Sequence, residues 1–190
     1  MKTVFFDIDT QIDFMFPAGA LYVPGAETIL DRIGMLNNLG NIVISTMDAH
    51  AEDDAEFRQW PHHCVVGTLG QRKPSITLLE KRVVVPNADA PVEIGGAGQL
   101  LLEKQTFDCF TNVKLAEILE RLGAERYVVY GVVTEICVQL AAFGLLKTGQ
   151  RVELVTDAVR SLSEEAAVKM MKEFTAAGGV LTTVAEITGV

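Results

Sequence analysis

Cys137 closes the run Tyr127-Val128-Val129-Tyr130-Gly131-Val132-Val133-Thr134-Glu135-Ile136-Cys137. The β-branched first half reads as a buried strand, Gly131 interrupts it, and Thr134-Glu135 opens a long apolar helical pattern. The thiol therefore falls on the first turn of a helix. Unpaired N–H groups and the positive end of the helix dipole favour a thiolate there, and can bring a free-thiol pKa from about 8.5 into the range of roughly 3.5–7.5. The same N–H groups can hold a developing oxyanion. A cysteine so placed is also an ordinary core residue, so its partners decide what it does. Asp9 follows the apolar segment Val4–Ile8, and Lys104 ends the segment Leu100–Lys104. Asp9 can accept the thiol proton, Lys104 can stabilise the thiolate and hold the acid ionised, and Cys137 can attack a carbonyl to form a thioester.

The elements that must position this trio alternate along the chain. Strand character is found at Val4–Ile8, Ile42–Met47, Arg82–Val85, Leu100–Lys104, Tyr127–Val132, Arg151–Val155 and Val180–Val184. Helical patterns fill Ala26–Leu39, Asn112–Leu122, Thr134–Lys147 and Glu164–Ala177. Strands apolar on both faces and separated by helices predict a three-layer α/β/α sandwich around a mainly parallel, Rossmann-like sheet of about six strands. Ligands in such sheets bind beyond the carboxyl ends of the strands, which is where Asp9, Asp48-Ala49-His50, Lys104 and Cys137 all fall. Asp48 to about Thr77 is a long irregular stretch, and its Asp, His, Trp and Phe content suits a functional loop.

The 190 residues, 49% of them hydrophobic, suffice for one sizeable core, and one domain over residues 1–190 is expected. With 16 Lys and Arg against 25 Asp and Glu the net charge is −9. That balance argues against nucleic-acid binding and for a small-molecule partner. Met1–Asp7 lacks the apolar length of a secretory signal, and no segment approaches a membrane span. Three widely spaced cysteines, Cys64, Cys109 and Cys137, point to free thiols and a cytoplasmic setting. Cys64 and Cys109 lack a helix-start position or a paired base and are read as packing residues.

The chain resembles the isochorismatase-like cysteine hydrolases, and within them the nicotinamidases. The resemblance covers nearly the whole sequence. It rests on Asp9-Thr10-Gln11-Ile12-Asp13-Phe14, similar to D-x-Q-x-D-F, on Gly19-Ala20-Leu21-Tyr22-Val23-Pro24-Gly25-Ala26, on Glu103-Lys104, and on Gly131 to Cys137, similar to G-x-x-T-x-x-C. It implies that Asp9, Lys104 and Cys137 form a catalytic triad. It also implies a cis peptide between Val132 and Val133 that aims the N–H groups of Val133 and Cys137 into an oxyanion hole. Phe14 and Trp60 resemble the aromatic residues that flank the substrate ring, and a homo-oligomer is expected because family members are commonly oligomeric.

The same resemblance implies a metal site at Asp48, His50, Glu56 and His63. Asp48 and His50 alternate on an extended segment and face one way, so both can grip one ion, with Glu56 and His63 closing the set. Two imidazoles with two carboxylates suit zinc, iron or manganese, hence one divalent transition metal. Glu56 belongs to the acidic run Glu52–Glu56, which also reads as solvated surface, and His62 reads as a rim residue beside the true ligand. In the family the metal binds the pyridine nitrogen and positions the carboxamide before the thiol.

The expected activity is therefore hydrolysis of nicotinamide to nicotinate and ammonia through a Cys137 thioester. An alternative stays open. Glu103-Lys104-Gln105-Thr106 lacks the glycine that often follows the lysine in nicotinamidases. That leaves room for a metal-independent hydrolase of another small amide, a ureido compound or isochorismate.

Overall fold

The computed structural model describes residues 1–189. The elements run β1 Thr3–Ile8, α1 Ile12–Met15, α2 Leu30–Asn37, β2 Ile42–Asp48, β3 Arg82–Val85, β4 Gln99–Lys104, α3 Leu115–Leu122, β5 Arg126–Val132, α4 Gln139–Leu146, β6 Arg151–Arg160, α5 Glu164–Ala176, β7 Val180–Thr182 and α6 Val184–Thr188. The seven strands form one sheet in the order β3-β4-β2-β1-β5-β6-β7, and every pairing is parallel. Val4, Phe5, Phe6, Val128, Val129, Leu100 and Leu102 are almost wholly buried, as expected for strands covered on both faces. Helices supply that cover: α2 packs beside α6, and α4 beside α5. Among the described residues no helix is long and apolar enough to cross a membrane.

Local chemistry sets the element ends. Helix α3 buries Leu115, Ile118, Leu119 and Leu122, a single stripe at helical spacing, and stops at Gly123 in the left-handed conformation. Helix α5 starts where the Ser163 side chain accepts from Ala166 N, with Glu164 and Glu165 in the first turn. Gly131 lies against Ile8 across β1 and β5 with φ of 117°, and a Cβ there would stand 2.2 Å from the Ile8 carbonyl oxygen. Only glycine lets the end of β5 come that close to β1.

Several boundaries differ from the sequence expectation. Ala26–Ile29 is a 3₁₀ turn before α2, and Cys109–Thr111 another before α3. The helix expected from Thr134 begins as a π-turn, Thr134–Val138, and becomes α-helical only at Gln139. Strand β6 runs five residues past Val155, following a register shift in its pairing with β5. Val184 lies in α6 rather than in the last strand, because Thr183 and Glu186 form a capping box.

Buried polar contacts pin the long 48–77 segment to the sheet. Lys73 donates to Asp7 Oδ2 at 3.2 Å and to Thr10 Oγ1 at 2.8 Å, and Asp7 also accepts from Thr10 and Ser45. The Asp13 carboxylate accepts from Cys64 N at 2.7 Å, holding the chain just after His63. Gln11 Nε2 donates to the carbonyls of Asp48 and Gln71, and Gln11 Oε1 accepts from Asp48 N.

Candidate active site

The ends of the neighbouring strands β4, β2, β1 and β5 deliver Lys104, Asp48, Asp9 and Cys137 to one place. Asp48 and Lys104 are paired across β2 and β4, so their side chains share a face. Asp9 adopts φ of 48° just past β1, and its carboxylate turns back to accept from Thr46 Oγ1 at 2.6 Å. Lys104 is fully buried, with its Nζ 2.8 Å from Asp9 Oδ2 and in contact with Asp48. Cys137 lines the same pocket as Asp9, and its thiol feels the charges of Asp9 and Lys104. The three residues of the expected triad thus meet at the strand ends, with Lys104 in direct contact with Asp9.

Their electrostatics follow from burial and from one cation among the acids. Burial pushes the Cys137 thiol well above its ordinary value; Lys104 opposes this, while Asp9 and Asp48 add to it. Burial also raises Asp9, with Lys104 and Thr46 pulling the other way. For Lys104, burial disfavours the charge, but Asp48 and Asp9 outweigh it and keep the ammonium protonated. For Asp48, burial is likewise overcome, by Lys104 and the two histidines, and the carboxylate stays ionised. The resting site therefore holds a neutral thiol beside Asp9. A helix start was expected to depress this thiol; the α-helix begins only at Gln139, and desolvation dominates at Cys137.

Beside this cluster, Asp48, His50 and His63 are buried and offer ligand atoms within 4.8 Å of one another. Nε2 of each histidine lies 3.8 Å from Asp48 Oδ2, and His63 Nε2 lies 3.7 Å from Glu56 Oε1. Both Nδ1 atoms are engaged from behind: His50 with Asp54 Oδ2 at 3.0 Å and His63 with the Pro61 carbonyl at 2.7 Å. That fixes the tautomer that turns Nε2 inward, the usual support of a metal-bound imidazole. His50 Nε2 and Glu56 Oε1 are buried with no hydrogen-bond partner. Orphaned donor atoms converging on one point are what a divalent metal would satisfy, and this set fits one. Without it, burial disfavours protonated His50, but Asp48 and Asp54 raise its pKa to about 9. His63 is raised through Asp48 against the same penalty, and burial raises Glu56.

Asp9, Cys137, Asp48 and His63 open onto one pocket, walled by Phe14, Leu21, Val23, Trp60, Phe107, Val132, Val133, Ile136 and Leu162. Mostly apolar walls with a few converging polar groups are the usual make-up of a small-molecule site. Phe14 packs on His63 with ring centres 5.5 Å apart, and Trp60 meets Phe107 edge-on at 6.2 Å. The Val132–Val133 peptide is cis, and no hydrogen bond from the Val133 N–H is seen among the described residues. His62 is exposed and stacks on Phe57, which in turn packs against His50 and His63. Cys64 and Cys109 are buried, and burial pushes both thiols up.

Several residues at the site went unread in the sequence. Thr46 meets Asp9 across 37 residues, which no local pattern reveals, and Gln11 lies inside the Asp9–Phe14 motif, though its contact with Asp48 was not anticipated. Asp54 sits four residues after His50 within the acidic run, where its spacing to His50 was the available signal. Leu21 and Val23 lie inside the quoted Gly19–Ala26 segment, whereas Phe107 and Leu162 carried no signal.

Similarity to known proteins extends over most of the chain. The family model described as Isochorismatase domain matches residues 3–186. The nicotinamidase of Escherichia coli is 26% identical, over 94% of this chain and 93% of its own length. A pyrazinamidase of Pyrococcus horikoshii, solved in complex with zinc, superposes with a TM-score of 0.81 at 27% identity, covering 96% of this chain and 99% of the other. A protein from L. infantum, solved in complex with nicotinate, superposes with a TM-score of 0.79 at 26% identity, covering 97% and 93%.

Proposed function

This chain belongs to the isochorismatase family and is a hydrolase of it, and from that premise we propose that it hydrolyses nicotinamide to nicotinate and ammonia through a cysteine thioester. The observation that carries the reading is the meeting of Asp9, Cys137, Asp48 and His63 on one apolar pocket, with Lys104 against Asp9 and His50 completing the Asp48–His50–His63 cluster. The nicotinamidase and pyrazinamidase relatives support the substrate class.

In the proposed reaction Asp9 removes the Cys137 proton as the carboxamide enters, and the sulfur attacks the carbonyl carbon. Asp9 and Asp48 hold the Lys104 ammonium beside the sulfur, where it offsets the charge formed on the thiolate. The N–H groups of Val133 and Cys137 receive the oxyanion. Asp9, now a carboxylic acid, returns its proton to the departing nitrogen, and ammonia leaves a thioester. Asp9 then takes a proton from water, whose oxygen attacks the thioester. Collapse of that adduct gives the acid and restores the thiol. Phe14 and Trp60 flank the ring and exclude water. Asp48, His50 and His63, with Glu56, would hold a divalent transition metal, which when bound supplies a Lewis-acid position for the ring nitrogen. Zinc in the Pyrococcus horikoshii relative supports that choice.

The test is ammonia release from nicotinamide by purified protein together with its metal content. Release that Cys137→Ala abolishes is expected; release that survives in Cys137→Ala overturns the covalent mechanism, and no release overturns the substrate.

A further inference from the structure

One acid beside the site has no part in the proposed chemistry. Glu135 lies in the π-turn two residues before Cys137, and its Oε1 accepts from Leu162 N at 3.0 Å and from Ser163 N at 2.7 Å. Its Oε2 is buried without a partner. The neighbouring Thr134 adds a second tie in the same direction, donating from Oγ1 to the Arg160 carbonyl at 2.9 Å. Two consecutive side chains of the cysteine turn thus grip the chain where it leaves β6 and enters α5.

That connection contributes one residue to the pocket, Leu162. Its side chain is 48% exposed, so packing does little to hold it. What fixes it at the pocket mouth is its backbone N–H, drawn onto the Glu135 carboxylate. A charged acceptor taking two N–H donors is stronger and more directional than neutral pairs. Ser163 gains as well, because it must stay in place to cap α5.

We propose that Glu135 is a positioning residue for substrate binding: its carboxylate latches Leu162 over the pocket as the wall against which a small aromatic amide packs. The latch rests on the functional reading given above. It acts on the bound ring and leaves the reacting atoms to others, so its loss weakens substrate binding more than turnover.

The experiment pairs amide hydrogen exchange with steady-state kinetics on nicotinamide for the parent, Glu135→Ala, Leu162→Ala, the double variant and Glu135→Gln. Slow exchange at Leu162 and Ser163 is expected in the parent and fast exchange in Glu135→Ala. KM should rise about tenfold in either alanine variant, kcat should fall much less, and the double variant should show no further rise, because the two residues act as one unit. Glu135→Gln keeps an acceptor oxygen and should restore KM towards the parent. Additive effects, a fall in kcat with KM unmoved, or fast exchange of both amides in the parent would overturn the latch. The exchange result needs no substrate and judges the latch even if Glu135→Ala does not fold. A parent inactive on nicotinamide would instead overturn the functional reading.

Discussion

Lys104 Nζ lies 2.8 Å from Asp9 Oδ2, wholly inside the protein, and the same ammonium contacts Asp48. One buried cation therefore stands between the acid that faces the thiol and the acid that faces the histidines. Replacing it with Met would leave two buried carboxylates without compensation. Lys104→Met should lose about 3–5 kcal/mol of stability in denaturant melts, as buried pairs do when one partner is removed. The folded fraction should also turn over at least about 100-fold more slowly. A variant of parental stability would show that the two acids are neutral in the folded chain.

Asp9 must be ionised to take the thiol proton, and burial raises its pKa above the ordinary 3.8. Activity is therefore present above that raised pKa and is lost as pH falls through it. In a profile of kcat/KM against pH, the acid limb should have unit slope and a midpoint above 3.8. A limb at or below the ordinary carboxylate value would assign the base elsewhere.

Much of this site was legible because parallel strands bring their carboxyl ends together. Val4–Ile8, Leu100–Lys104 and Tyr127–Val132 each announce a strand by composition, and the polar residue at each end then has one place to go. Less legible were the residues that hold those ends in place. Thr46 faces Asp9, Gln11 clamps the Asp48 peptide, and Glu135 reaches Leu162, all across distances in sequence that carry no periodic signal. The π-turn at Thr134–Val138 also escaped, since a wider first turn leaves the apolar spacing of a helix unchanged. At Thr183 a local signal did exist. The capping box with Glu186 ends β7 at Thr182, but the apolar run Val180–Val184 masked it.

Glu56 separates two versions of the metal site. Asp48, His50 and His63 alone come within mutual ligand distance, while Glu56 Oε1 stands 3.7 Å from His63 Nε2. Zinc binding measured by competition should disappear in His50→Ala and His63→Ala. Glu56→Gln should retain zinc at about tenfold lower affinity, equivalent to roughly 1.4 kcal/mol. Zinc at 1,000 times its Kd should stabilise the parent by about 4 kcal/mol, and chelation should remove that gain. Full retention of zinc by His63→Ala would rule out this ligand set.

Glu153 offers a control at the other end of β6. Its side chain is almost fully buried; Arg126 donates to both oxygens, at 2.9 and 2.6 Å, and Arg151 donates at 2.5 Å. Burial opposes ionisation, but the two guanidinium groups outweigh it and hold the pKa below the ordinary 4.5. Because the folded value is the lower one, the pair's contribution is complete above 4.5 and is lost as pH falls through the folded pKa. Glu153→Gln should cost about 1–3 kcal/mol at neutral pH, the range for hydrogen bonds to charged groups. The gap between parent and variant should close on acidification. Glu153 pairs with Val128 early in β5, well before the strand ends that carry the site, so kcat per folded molecule should match the parent. A change in kcat would mean that strain in β6 is transmitted to the Cys137 turn.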